Sequence, residues 1–479
     1  MKNTDSYLPP AVTEQSRTTI LNDTQNLGSA AEKRNLRFVI LASSIGTLFE
    51  WYDFYLYAGL SVFFSNLFFP KGDGFAQLLS AFAALGAGFV VRPFGALVFG
   101  RLGDIIGRKY TFMMTMIVMG FATALVGILP TYEQIGISAT IMLVLLRMAQ
   151  GLALGGEYGG AATYVAEHVP NNVRGFYTSF IQTTATLGFL FSLVVITGTQ
   201  LWLGDEDFKA WGWRIPFLVS YFLLAVSLYI RLQLRESPIF ELLKSRGHTS
   251  KTPIKDSFGN WYNLRYVLLA LFGATAGQGV IWYTSQFYAL FYLQTILKMD
   301  FLTANVLVAI SLAVTTPFFV LFGKLSDKIG RKPIMLAGCM LAASSYIPIY
   351  KLMSAAVHPD LDFLALPLGV VPMPVSVNYV VVELCLLAQL LFVAMVYGPI
   401  AAFLVELFPT KIRYTSMSFP YHIGNGIFGG LLPLISTAIV SSTQDMFAGL
   451  FYPIGVIIIT ALIMAFFVHE TKDRSLHDE

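Results

Sequence analysis

Apolar and polar positions divide the chain into twelve long apolar runs, over 38–63, 75–99, 110–130, 138–166, 176–203, 213–233, 265–294, 302–323, 333–350, 379–405, 417–440 and 448–468, parted by polar turns. At ~1.5 Å of rise per residue, about twenty apolar residues cross the ~30 Å hydrocarbon core of a bilayer. The pattern predicts an all-α membrane protein of twelve transmembrane helices. One polar turn, Gly100-Arg101-Leu102-Gly103-Asp104-Ile105-Ile106-Gly107-Arg108-Lys109, returns as Gly323-Lys324-Leu325-Ser326-Asp327-Lys328-Ile329-Gly330-Arg331-Lys332. Each copy joins a second run to a third, so six runs make one repeat. An even number of spans brings the second turn back to the side of the first, which predicts two six-helix bundles related by an axis along the membrane normal. The expected organisation is an N-terminal tail over 1–35, a bundle over 36–234, a linker over 235–264, a second bundle over 265–470 and a tail over 471–479.

Composition agrees with a chain whose solvent is lipid: 479 residues are 56% hydrophobic and 12% charged, with a mean hydropathy of +0.65. Most of the 31 Lys and Arg fall in the tails and in the loops after even-numbered helices. Both termini are therefore expected in the cytoplasm. The net charge of +3 is this topological bias and gives no reason to invoke nucleic acid. Cys339 and Cys385 fall inside helices nine and ten, where neither a disulfide nor a metal quartet is expected. No His-Glu-x-x-His motif or close His or Cys pair occurs, so neither an enzyme nor a bound cofactor is expected. The first 35 residues are polar, and helix one is expected to be the insertion signal. The Pro-rich stretch from His358 to Asn378 reads as an irregular loop on the side opposite the termini.

Charges inside the apolar runs are costly and mark candidate function. Helix one carries Glu50 and Asp53 three residues apart, on one face near mid-membrane, beside Trp51 and Tyr52. Helix four carries Arg147, Gln150 and Glu157 within one sector, and helix two carries Arg92 before Pro93. Counting residues from the cytoplasmic ends puts Asp53 at about 23 Å and Arg147 at about 29 Å, which pairs them. Arg92 is placed by the same count to hold either Glu157 or Glu50. Permanent ion pairs that only fix packing are the plainer account. Against it, aligning Trp51-Tyr52 with Trp282-Tyr283 puts Thr284 where Asp53 stands, so the second half keeps the pattern without the charge. Asp53, exchanging with Arg147, is the candidate proton carrier and Glu50 its reserve. Such a carboxylate would stay ionised beside Arg and be favoured in its protonated form without it.

Helix seven offers Gln278, Trp282, Ser285 and Gln286, a polar and aromatic face suited to a small solute. With Arg92, Arg147, Gln150, Glu157, Trp51 and Tyr52 these are the candidate substrate contacts. The two fixed cations point to a carboxylate, while the Trp and Tyr faces leave a zwitterion open. His422 is titratable but alone in helix eleven. The Gly151, Gly155 and Gly159 series marks close helix packing. Asp104, Arg108, Asp327 and Arg331 in the repeated turns are candidate gate residues that bridge the halves. Glu167 with Arg174 and Glu406 with Arg413, which share one acid-to-base spacing, can latch the halves.

The doubled Gly-x-x-x-Asp-x-x-Gly-Arg-Lys turn resembles the major facilitator superfamily. Within it, Glu50-Trp51-Tyr52-Asp53-Phe54, Arg92-Pro93-Phe94-Gly95, Gln150-Gly151-Leu152, Gly155-Gly156-Glu157 and Trp211-Gly212-Trp213-Arg214-Ile215-Pro216-Phe217 together resemble the metabolite:proton symporter family. Glu406-Leu407-Phe408-Pro409 and Arg413-Tyr414-Thr415 match it more loosely. The resemblance implies alternating-access import of a small polar metabolite driven by protons, in a bacterial inner membrane. Members take up organic acids such as 2-oxoglutarate, citrate and shikimate, or the osmolytes proline and betaine. The expected partners are a small-molecule substrate, protons and the lipid bilayer, with no nucleic acid, and the chain is expected to act as a monomer. A proton-independent facilitator is the remaining alternative, and it would need neither Asp53 nor Arg147.

Overall fold

The computed structural model describes residues 30–106, 108–156, 158–167, 169–233, 258–361, 371–408, 413–472 and 474. Every regular element among them is helical. Ten helices are long and apolar enough to cross a membrane. Two more complete the set of twelve: Ala30–Phe68, and Arg108–Ile128 with its apolar stretch Met113–Ile128. In chain order they are α1 (Ala30–Phe68), α2 (Gly74–Phe99), α3 (Arg108–Ile128), α4 (Ile137–Gly160), α5 (Arg174–Leu203), α6 (Ile215–Gln233), α7 (Trp261–Ile296), α8 (Phe301–Ile329), α9 (Arg331–Val357), α10 (Tyr379–Leu407), α11 (Thr415–Thr443) and α12 (Phe451–Phe467). Several overrun the apolar runs that predict them, α1 and α9 by the most. The tail before residue 30, most of the 235–264 linker, residues 362–370 of the Pro-rich loop and most of the C-terminal tail lie outside the described residues.

The packing repeats with a shift of six helices. In the first half α1 packs on α5 and α6, α2 on α4, and α3 on α4 and α6. The second half has α7 on α11 and α12, α8 on α10, and α9 on α10 and α12. Between halves, α5 packs on α8 as α2 packs on α11, two contacts that a single two-fold would interchange. Without a hydrophobic drive between helices in lipid, such contacts rest on close backbone approach. Gly175 of α5 and Gly323 of α8 supply it: a Cβ on Gly175 would lie 2.5 Å from the Gly323 carbonyl oxygen.

Among the described residues, π-helical turns occur in the second half only. Within α7, Leu271–Thr275, Thr284–Tyr288 and Tyr292–Ile296 are π-helical, and α11 has a π segment at Gly424–Gly429. Each wide turn rotates the side chains after it around the helix axis, a device that recurs at functional sites.

Candidate functional site

The site starts from how α2 meets α4. Cβ atoms at Gly151 and Gly155 would run into the carbonyl oxygens of Gly88 and Arg92, so glycine alone lets the two backbones touch, as the spacing predicts. Pro93 lacks the N–H that would continue the helix, and α2 breaks at Val91 and restarts at Arg92. This contact sets Arg92 and Arg147 side by side in the first bundle, both fully buried.

Among the described residues, neither guanidinium is paired with a carboxylate there. Arg92 lies over the rings of Phe54, Phe89 and Trp51, at 4.2, 4.3 and 5.3 Å from their centroids. Its Nε, Nη1 and Nη2 have no hydrogen-bond partner among the described residues. Arg147 lies over Phe54 at 4.3 Å and Tyr57 at 4.7 Å. Its Nη1 donates to the Phe54 carbonyl at 3.2 Å and to Gln150 Oε1 at 2.5 Å, while Nε and Nη2 lack partners. Gln150 in turn donates to Thr123 Oγ1 at 2.7 Å. Desolvated cation–π contacts are worth about 2 kcal/mol each. Three such contacts at Arg92 and two at Arg147 offset part of the several kcal/mol lost when an ion leaves water.

The expected Asp53–Arg147 pair is not formed. Asp53 instead accepts a hydrogen bond from Ser220 Oγ of α6 at 2.5 Å, and Tyr52 donates to the Pro216 carbonyl at 2.7 Å on the same helix. Depth counting fixes height along a helix but not the direction a residue faces. Phe54, about 100° further round α1, is the residue that looks at both arginines. Asp53 and Glu50 are both buried. Glu157, the other partner considered for Arg92, lies outside the described residues.

The second half brings neutral groups to the same level. Trp51 stacks on Tyr55, and Tyr55 stacks on Trp282 with centroids 5.3 Å apart, so an aromatic ladder crosses from α1 to α7. Tyr283 meets Phe89 edge-on at 5.0 Å. Gln286 is fully buried, and among the described residues neither its amide atoms nor Trp282 Nε1 has a hydrogen-bond partner. Gln278 is occupied instead, exchanging two hydrogen bonds with Asn425 of α11 at 3.1 and 2.9 Å. Ser285 is held by Tyr346 at 3.0 Å. His422 is buried and neither ring nitrogen has a partner among the described residues. Nearby, Tyr158 of α4 and Tyr421 of α11 stack face to face at 3.5 Å, and Tyr421 also hydrogen-bonds Tyr397 at 2.8 Å. At the far end Phe82 and Phe291 close α2 against α7 at 4.6 Å.

A network of charge joins the halves at the face that carries the repeated turns. Arg174 of α5 pairs with Glu406 of α10 at 2.8 Å, and Arg331 reaches the same carboxylate at 3.1 Å. Asp327 accepts from the backbone N–H groups of Gly175 and Phe176, both at 2.8 Å, at the positive end of the α5 dipole. Both contacts cross between halves. The partners differ from the sequence spacing, however. Glu406 is held by Arg174 and Arg331, and Arg413 Nε donates to the Phe408 carbonyl at 3.1 Å. Arg331 was expected to bridge the halves, but its side-chain hydrogen bonds go to Ser326, Asp327 and Glu406 of its own half. It orients the two acids that cross. The side chains of Asp104, Arg108 and Glu167 lie outside the described residues.

Segments after α12 complete this network. Glu470 accepts from the backbone N–H groups of Arg331 and Lys332 at 2.9 and 3.0 Å, capping α9, and Thr471 donates to Glu406 at 2.8 Å. Gly330 makes room: its φ of +105° suits glycine, and a Cβ there would lie 2.5 Å from Glu470 Oε2. No sequence motif marks Glu470 for this contact. Its function in the network depends on a contact across more than a hundred residues of chain. The roles of Ser220, Phe54 and the Tyr158–Tyr421 stack likewise carry no motif signal.

Known proteins agree with this architecture. The family model for "Sugar (and other) transporter" matches residues 38–265 and 248–478. The "Inner membrane metabolite transport protein YhjE" of Escherichia coli is 34% identical, over 91% of this chain and 95% of that protein. A "Putative proline/betaine transporter" of Staphylococcus haemolyticus is 33% identical, over 91% and 88%. The "Alpha-ketoglutarate permease" of Escherichia coli is 33% identical, over 92% and 95%. Among solved structures, the proton:xylose symporter XylE superposes with a TM-score of 0.70 at 19% identity, covering 92% of this chain and 97% of that one. Two bundles of six, the doubled turn and these full-length matches agree: the chain belongs to the sugar (and other) transporter family, within the major facilitator superfamily, as its likeness to the metabolite:proton symporters implies.

Proposed function

We propose that this chain imports a small organic acid by proton symport with alternating access, in a bacterial inner membrane with both termini in the cytoplasm. The observation that carries the reading is the pair of fully buried guanidiniums, Arg92 and Arg147, five of whose six nitrogens lack a hydrogen-bond partner among the described residues. Burial makes an unmatched cation expensive, and an incoming carboxylate supplies the missing charge with bidentate geometry. The names of the relatives include one organic acid and one pair of osmolytes. Two buried cations with most of their N–H groups unmatched among the described residues favour the acid.

Asp53 is the proton carrier in this account. It is buried, bonded to Ser220 and turned away from both arginines. A proton taken up there with one carboxylate bound near the arginines leaves the loaded core no more charged than the empty one. Such neutrality lets the halves rock through a state closed to water on both sides. Opening toward the cytoplasm then separates Arg174 from Glu406 and Asp327 from α5. Discharge of Asp53 after release resets the cycle, and Glu50 is the reserve carrier. Gln286 and Trp282 complete the solute contacts from the second half.

Uptake into proteoliposomes, measured for organic acids and for zwitterions with and without an imposed pH gradient, tests both parts. The reading requires gradient-dependent accumulation of at least one organic acid. Accumulation of betaine or proline alone would replace the substrate class, and uptake indifferent to the gradient would remove the symport.

A further inference from the structure

Helix α9 meets α7 through a row of hydroxyl groups. Tyr346, Tyr350 and Ser354 follow one another at four-residue spacing and so share one face of α9. All three are fully buried. Tyr346 donates to the Ile281 carbonyl at 3.3 Å and shares a hydrogen bond of 3.0 Å with Ser285 Oγ. Tyr350 donates to the Thr284 carbonyl at 3.1 Å. Ser354 donates to the Tyr350 carbonyl, and its oxygen lies 2.9 Å from the Tyr292 hydroxyl. Thr284 opens one π segment of α7 and Tyr292 opens the next. The row therefore falls where α7 leaves the regular α-helix.

Packing by itself would be served by phenylalanine. A buried tyrosine hydroxyl costs free energy unless it is bonded, and here the bonds go to the irregular turns. A π turn closes from residue i to i+5, out of step with the ladder on either side, and relaxation to α-helix moves every later residue around the axis. In a bilayer the backbone groups of such a turn find partners only inside the protein, and α9 supplies them. The opposite face of α7 looks at the first half: Trp282 stacks on Tyr55 at 5.3 Å, and Phe287 meets Tyr55 edge-on at 5.2 Å. Gln286 belongs to the same π turn, with both amide atoms unmatched among the described residues. Fixing one face of a helix fixes the rotation of the other. Resting on the reading that Trp282 and Gln286 contact the solute, we propose that Tyr346 and Tyr350 are positioning residues for transport, whose hydroxyls hold α7 at the rotation that turns Trp282 and Gln286 toward the solute.

Two measurements on the full-length protein test this. Tyr346→Phe and Tyr350→Phe each remove one oxygen and keep the ring. Ser344→Ala is the control, exposed on the same helix and bonded only to its own preceding turn. In proteoliposomes with an inward proton gradient, uptake of labelled succinate gives KM and kcat. Each tyrosine variant should raise KM about fivefold with kcat within about twofold of wild type. Gln286→Ala should raise KM at least as much. Adding Tyr346→Phe to Gln286→Ala should raise it by less than about twofold more, because a residue that acts through Gln286 is silent once Gln286 is gone. In detergent, 5-fluorotryptophan gives a fluorine signal for each of the 6 Trp, and Trp282→Phe identifies that of Trp282. This signal should move in both tyrosine variants and stay in Ser344→Ala. Should Tyr346→Phe fail to fold, Ser285→Ala tests the other end of the same bond. A Trp282 signal unmoved in both tyrosine variants overturns the proposal whatever solute is carried. So does an unchanged KM in both when Gln286→Ala raises it, or a full additive loss in the combined variant. An unchanged KM in Gln286→Ala overturns the solute contact first and the proposal with it. If wild type carries only betaine or proline, the acid reading falls, and the same kinetics on that solute decide the proposal.

Discussion

At the scale of single residues, the account turns on which charges are matched and which are not. Arg174 and Glu406 are a matched pair, buried at 2.8 Å between halves. Breaking such a pair by removing one partner costs about 3 kcal/mol or more. Arg174→Gln should therefore shift the conformational balance toward states open at this face. A cysteine placed at Thr178, buried at the same face, should label from that side faster than in wild type, against a low background from the buried Cys339 and Cys385. Unchanged labelling would mean that the network does not hold the halves together. Gln278 and Asn425 form a different kind of match, two neutral amides exchanging hydrogen bonds. Gln278→Leu leaves Asn425 short of partners, and the thermal unfolding midpoint in detergent should fall, by the equivalent of about 1–3 kcal/mol. Substrate exchange should survive, because Gln278 is committed to packing.

At the scale of elements, the crossing of α5 and α8 decides whether the charged network can form. Gly323→Val puts a branched side chain where even a Cβ would lie 2.5 Å from Ser179, so the helices must separate. Gly198→Val, further along α5 with nothing within 4 Å of its Cβ, is the control. The first should raise cysteine labelling at the gate face as Arg174→Gln does, and the second should not. Equal behaviour of the two would remove close approach as the cause. The π segments of α7 belong to this scale as well. They set the azimuth at which Trp282 and Gln286 face the first half, and the apolar pattern gives no warning of them because a wide turn changes no residue type.

For the whole molecule, the sequence carries the architecture and much less of the site. Twelve apolar runs and one doubled turn imply two like bundles, because bilayer thickness and the cost of bare backbone leave few other solutions. The glycine series of α4 is equally legible, since small residues at four-residue spacing have one use on a membrane helix. Arg92, Arg147 and Asp53 stand out because charge in lipid is rare. Their partners did not follow. Asp53 turns to Ser220 and Glu406 to Arg174, choices set by helix rotation and by contacts between halves. Phe54 could not be singled out at all, one ring among 40 phenylalanines, until two guanidiniums were seen on it.

The central claim is that a proton on Asp53 drives the uptake of an organic acid, and one comparison tests it most directly. Proteoliposomes holding wild type or Asp53→Asn are given labelled succinate, first with an inward proton gradient and then, without a gradient, as exchange against internal succinate. Asn keeps the shape of the protonated acid but carries no exchangeable charge. The account predicts that wild type concentrates succinate under the gradient and loses this with a protonophore, while Asp53→Asn exchanges succinate yet never concentrates it. If Asp53→Asn still concentrates succinate under the gradient, Asp53 does not carry the proton, and the mechanism proposed for this protein is contradicted.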